Sequence, residues 1–223
     1  MRGLAGVGLV VVSLCCFVVG TVLAGTDVNN GIDEEILAIQ HRWAQANYEL
    51  QSKSQVQAFE ALVSDAERMT EQYPDAASVW IWSGIIKSTY AGVKGGLGAL
   101  KYARAAKVDL ERALSLEPDA LDGSAYTSLG TLYFKVPGWP LGFGDHDKAE
   151  ALLLKALAIN PQGIDSNYFY GDYLIGEKRY LEAETYLVRA RQAPPRPHRA
   201  LADAGRQKEI ALALSTVHKK LKK

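Results

Sequence analysis

Few side chains in this 223-residue chain combine the type and spacing that chemistry needs. Asp145, His146 and Asp147 set two carboxylates around an imidazole, which are donor types of a metal site. No second histidine follows at helical spacing, and Asp147 with Glu150 three residues on makes a capping pair ahead of a helix. The triplet is read as a cap, and no metal is expected. The glycine run Gly92–Gly98 (GVKGGLG) has the composition of a phosphate cradle, but it lacks the Lys-Ser/Thr ending and follows a helical segment. It is read as a flexible loop between helices. Glu182 and Glu184 lie two apart on a helix, so they do not face each other and read as a solvated face. No Gly-x-Ser-x-Gly elbow occurs. No catalytic residue and no cofactor are assigned, and the chain is not expected to be an enzyme.

Both cysteines, Cys15 and Cys16, fall in an uncharged stretch behind Arg2 that is rich in Leu, Val, Ala and Gly. Val22, Leu23 and Ala24 then form a small-x-small cleavage pattern. Residues 1–24 read as a secretory signal peptide, cut at Ala24, and the expected compartment is the periplasm. An uncleaved inner-membrane anchor is the alternative, because the uncharged run can just span a bilayer. Neither Leu14 before Cys15 nor Cys15 before Cys16 is the small residue that acylation requires. Residues 25–223 contain no cysteine, hence no disulfide and no thiol nucleophile. The 25 basic and 25 acidic residues cancel, which argues against a nucleic-acid partner.

The elements that must position any site are written as a repeat. Ala106, Leu110, Ala113 and Pro118 stand at offsets of four, seven and twelve. The same frame returns at Ala149, Leu153, Ala156 and Pro161, and again at Ala183, Leu187, Ala190 and Pro195. A weaker copy runs through Leu62, Ala66, Met69 and Pro74. Spacings of four and three mark one helix face, and the proline ends the helix. Upstream of the three strong frames lies a helix with a central glycine, Gly84, Gly130 and Gly171, which predicts close packing of paired helices through Ala106, Ala149 and Ala183. Helices are expected near 33–51 and 54–72, then as pairs at 76–91 with 99–116, 122–135 with 147–159, and 165–176 with 180–192. Ile210, Leu214, Val217 and Leu221 stripe a final helix from about Arg199. No segment alternates like a strand, so the fold class is all-α.

Gly84 to Ala106 and Gly130 to Ala149 are longer than Gly171 to Ala183, so two units carry insertions, at 92–98 and 136–147. Both fall on the same edge of the stack, where insertions often bind. Trp139 and Phe143 lie in the second one; they either fold back on their own helices or form an exposed lip. The frequent tyrosines read chiefly as packing between helices.

The 34-residue interval from Pro161 to Pro195 and the frames above resemble tetratricopeptide repeats, over residues 76–196 and more weakly over 33–75. The resemblance implies a right-handed α-solenoid of about four hairpins. The division is then signal 1–24, linker 25–32, a degenerate hairpin 33–75, three hairpins 76–196, and a capping helix with a basic tail 197–223. That family binds peptides or proteins in a groove lined by the first helix of each pair. The matching face here carries Ile81, Ile85 and Ser88, then Thr127, Thr131 and Phe134, then Tyr168, Asp172 and Ile175. It is mostly apolar, without an Arg/Lys clamp, which suits an apolar ligand or partner.

More narrowly, GSAYTSLGTLYFKVPGWPLGFGDHDKAE and GIDSNYFYGDYL resemble the T component associated with bacterial TRAP transporters, over roughly 76–205. That resemblance implies a periplasmic protein, a trimer with central pores, which docks a solute-binding protein. Members can be lipid-anchored, and no good acylation cysteine stands here. A generic envelope scaffold and a carrier of a small hydrophobic ligand are the alternatives.

Overall fold

A computed structural model describes residues 22–222, apart from the side chains of 22–30 and of Leu97. The leader, up to residue 21, lies outside the described residues. Among the described residues all regular structure is helical: α1 (Val22–Tyr48), α2 (Ser52–Gln72), α3 (Ala77–Lys94), α4 (Gly96–Leu116), α5 (Ala120–Lys135), α6 (His146–Ile159), α7 (Ile164–Gly176), α8 (Tyr180–Arg191) and α9 (Ala200–Leu221). No described helix is long and apolar enough to cross a membrane. Helix α1 runs unbroken through residues 25–32, read from the sequence as a linker. That stretch contains no proline to stop a helix.

Each of the three strong repeat frames forms one buried contact. An ideal Cβ on Gly84 would sit 2.5 Å from Leu110 Cγ and 3.2 Å from the Ala106 carbonyl oxygen. On Gly130 it would meet Leu153 Cγ at 2.8 Å and the Ala149 oxygen at 3.1 Å, and on Gly171 Leu187 Cγ at 2.8 Å. Hydrogen in place of a methyl is what lets α3 and α4, α5 and α6, and α7 and α8 approach this closely. Ala106, Leu110, Ala149, Leu153, Ala183 and Leu187 are all buried in one cluster that runs from α3 to α9. A second cluster joins α1, α2 and α3 around Trp43, Phe59, Trp82 and Tyr90.

Helices α1, α3, α5, α7 and α9 touch one another in sequence, and α9 also touches α1. The five odd-numbered helices therefore form a closed ring of contacts, with α2, α4, α6 and α8 each packed between two of them. The closure rests on small residues. Ala202 of α9 is buried in the N-terminal cluster, and Gly205 lies so close to the Tyr48 ring that a side chain there would clash. His41 Nε2 also lies 2.7 Å from the His198 carbonyl oxygen. The segment read as a cap of the last hairpin thus packs on the first helix as well.

The first insertion is not a loop. Residues 92–98 extend α3 and α4, which are separated only by Gly95. Gly95 and Gly96 both have positive φ (60° and 61°), which lets the chain reverse in one residue, and no longer connection is needed. In the second insertion, residues 136–145 are irregular. Phe143 folds back edge-on to Tyr133, with centroids 5.5 Å apart, whereas Trp139 is 89% exposed and Leu141 73%. The loop thus divides between the two fates its sequence allows.

Candidate functional site: a chamber inside the helical ring

The odd-numbered helices and the start of α4 line a half-open chamber of about 1100 Å³. That is slightly above the usual range of small-molecule pockets, about 300–1,000 Å³. Its walls include Trp43 of α1, Trp82, Ile85 and Ser88 of α3, Thr127, Ser128 and Thr131 of α5, and Phe169 of α7. Both Trp82 of α3 and Gly95 at its C-cap line it, thirteen residues apart, so at 1.5 Å rise the chamber is about 20 Å long. Indole edges build part of the wall: Trp43 and Trp82 meet edge-on at 6.0 Å, and Trp43 Nε1 donates to Thr89 Oγ1 at 3.1 Å. At one rim Leu121, Asp122 and Gly123 are all left-handed (φ 48°, 55° and 72°), so the regular part of α5 begins beyond them. Leu121 and Asp122 both face the chamber from that turn. Leu141, from the exposed part of the second insertion, also reaches the chamber lining.

One end of the chamber is ionic. Asp165, at the start of α7, accepts from Arg196 Nη1 at 2.5 Å and from Arg206 Nε at 2.8 Å. Arg196 also bonds Asp203, and Arg206 bonds Glu209. The Arg206 guanidinium lies 4.4 Å from the ring centres of Tyr168 and Phe169. Burial alone would raise the Asp165 carboxyl, but the Arg206 and Arg196 charges outweigh it and pull it down to about 2. Burial pushes the Tyr168 phenol up to about 12 despite the Arg206 charge.

The low Asp165 value carries a stability prediction. Its folded pKa lies below its unfolded value of about 3.9, so its contribution is complete above about pH 4 and is lost as pH falls toward 2. The contribution is about 2.5 kcal/mol at most. Urea unfolding of wild type and Asp165→Asn should show a stability gap that is constant from pH 7 to about 4 and narrows below it. A gap that widens on acidification would contradict the assignment.

Arg199 differs from its neighbours. It lines the chamber with its guanidinium over the Trp82 ring, 5.1 Å from the centroid. Among the described residues no carboxylate lies within ion-pair distance of it. Burial, then the adjacent Arg196 charge, holds it below its ordinary value. Trp82 Nε1 beneath it is buried without a hydrogen-bond acceptor.

Of the groove residues expected from the sequence, Ile85, Thr127 and Thr131 line the chamber together. Phe134, Tyr168 and Asp172 are not in its lining. Phe134 packs edge-on against Tyr173 and His146, Tyr168 lies under Arg206, and Asp172 is paired with Lys135 at 2.7 Å. The expected groove without an Arg/Lys clamp is therefore corrected: Arg196, Arg199 and Arg206 come in from the C-terminal segment. Trp43, Trp82 and Phe169 were also missed. The one signal for the arginines was the run Pro194–Arg199 (PPRPHR), too proline-rich for a simple cap.

The Asp145–Asp147 triplet caps α6, but through Asp145, whose carboxylate accepts from the Lys148 amide at 3.0 Å. Asp147 does not pair with Glu150. Glu150 instead accepts from Arg179 at 2.5 Å and from Tyr170 at 3.0 Å. His146 Nδ1 lies 2.6 Å from Glu177. Glu182 and Glu184 each have a partner, Arg179 and His218. Among the described residues no group of three or more His, Asp or Glu side chains is arranged to hold a metal. No protein-family model matches this chain, and no curated protein matches it.

Proposed function

We propose that this chain is a non-enzymatic binding protein of the tetratricopeptide type, exported to the periplasm, whose chamber holds a small, elongated, largely apolar ligand. One observation carries the reading. With α9 returned onto α1, residues of α1, α3, α5, α7 and the Pro194–Arg206 segment line one half-open cavity of about 1100 Å³. The repeat reading is supported by three glycine–alanine–leucine contacts in register. Export is supported by the uncharged leader and the cysteine-free remainder.

A second reading, protein docking, rests on the second insertion. Trp139 and Leu141 offer apolar surface to solvent, while Leu141 also reaches the chamber. A partner seated on that lip would sit over the ligand, which suits a T-component-like accessory that meets a solute-binding protein. The trimer implied by the same resemblance is part of this reading, and a generic envelope scaffold is its plainer form.

The chamber reading is tested by titrating the full-length protein with N-phenyl-1-naphthylamine, a neutral apolar fluorophore. Saturable binding at one site per chain is expected. Ser128→Trp, which places an indole into the chamber from the middle of α5, should weaken it at least tenfold and leave the thermal midpoint within a few degrees. Binding that does not saturate, or that Ser128→Trp leaves unchanged, would remove the chamber as the site.

A further inference from the structure

Resting on the chamber reading, we infer that Arg199 is a specificity residue and that the ligand is an amphiphile with a carboxylate head, bound with that head at the arginine and its apolar body along α3. The argument begins with the charges at the ionic end. Arg196 and Arg206 have their fork donors committed to Asp165, Asp203 and Glu209. Lys135, which also lines the chamber, is held by Asp172. Asp122 is the other lining carboxylate, and it stands exposed at the rim on the start of α5. Arg199 alone among the described lining cations has no carboxylate partner.

Its setting is that of a receptor for an oxyanion. The guanidinium stands over the Trp82 ring, 5.1 Å from its centroid, and its planar fork makes no side-chain hydrogen bond to the described residues. A fork of this kind matches a carboxylate with two parallel hydrogen bonds. A buried donor without an acceptor is costly, and the Trp82 indole N–H is one, directly beside the half-buried Arg199 guanidinium. From that corner the chamber runs about 20 Å along α3 past Ile85 and Ala91 to Gly95, a path for an extended apolar chain. A neutral apolar ligand would fill that path but leave the fork unanswered.

The experiment compares dodecanoate with dodecan-1-ol by isothermal titration of the full-length protein, below the aggregation limit of each. The two share a chain and differ in the head. Dodecanoate should bind wild type at least tenfold more tightly, and Arg199→Met should abolish that preference while leaving dodecan-1-ol affinity within threefold. Equal binding of acid and alcohol to wild type would overturn the inference and leave the chamber reading standing, a comparison that needs no variant to fold. Full preference retained in Arg199→Met would likewise overturn the arginine's role. Binding of neither compound would defeat both this inference and the chamber reading.

Discussion

Asp109→Ala should destabilise the protein by about 3–5 kcal/mol, among the largest effects of any single substitution here. Lys87 and Asp109 meet at 2.7 Å between α3 and α4, with side chains only 8% and 7% exposed. Ser83 donates to the same carboxylate oxygen at 2.7 Å. Removing the carboxylate leaves a buried ammonium whose next acid, Glu67, lies 3.8 Å away on a largely exposed side chain. The cost comes from the orphaned charge rather than from the worth of the pair, so Lys87→Met combined with Asp109→Leu should recover most of it. Urea unfolding of the single and double variants checks this. A double variant no more stable than Asp109→Ala would show that the ion pair itself, and not the stranded lysine, dominates.

Gly84→Ala should destabilise by about 1–3 kcal/mol, although alanine is the better helix former by about 1 kcal/mol. Propensity and packing thus predict opposite signs, and the geometry decides between them. The new methyl would fall 2.5 Å from Leu110 Cγ and 2.7 Å from its Cδ2, and Leu110 is fully buried with nowhere to move. Adding Leu110→Ala should therefore cost less in the Gly84→Ala background than in wild type, giving a coupling energy of about 1 kcal/mol or more in a double-mutant cycle. A Gly84→Ala protein more stable than wild type would mean that α3 and α4 are not in the contact described.

The glycines, alanines and leucines of these frames were legible because they act within a hairpin, over a fixed number of residues, and repeat. Helix limits followed for the same reason, set by Pro74, Pro118 and Pro161. The extension of α3 and α4 was not legible, because a glycine pair that turns a chain in one residue has the same composition as a flexible loop. The split within the second insertion was equally hidden. Whether Phe143 or Trp139 turns inward depends on which finds a ring such as Tyr133 to meet.

The ionic end of the chamber was the least accessible part. Helical periodicity reports which face of a segment is apolar, not which distant segment will cover it. Arg199 and Trp82 are far apart in the chain, and His41 and His198 are separated by 157 positions. The contacts that join them depend on Gly205 admitting Tyr48 and on Ala202 fitting among the residues of α1 and α2. A single glycine in a polar helix carries no mark of that role.

The contact between α9 and α1 also changes how the molecule should come together. A linear array of hairpins gains stability from nearest neighbours and frays from either terminus. Joining α9 to α1 adds interactions of high contact order, which form late because a long loop must be closed first. The early hairpins can pair locally, but the chamber does not exist until α9 arrives. The chamber is in this sense a product of the α1–α9 seam, and that seam is the natural place for reversible local opening of the ring.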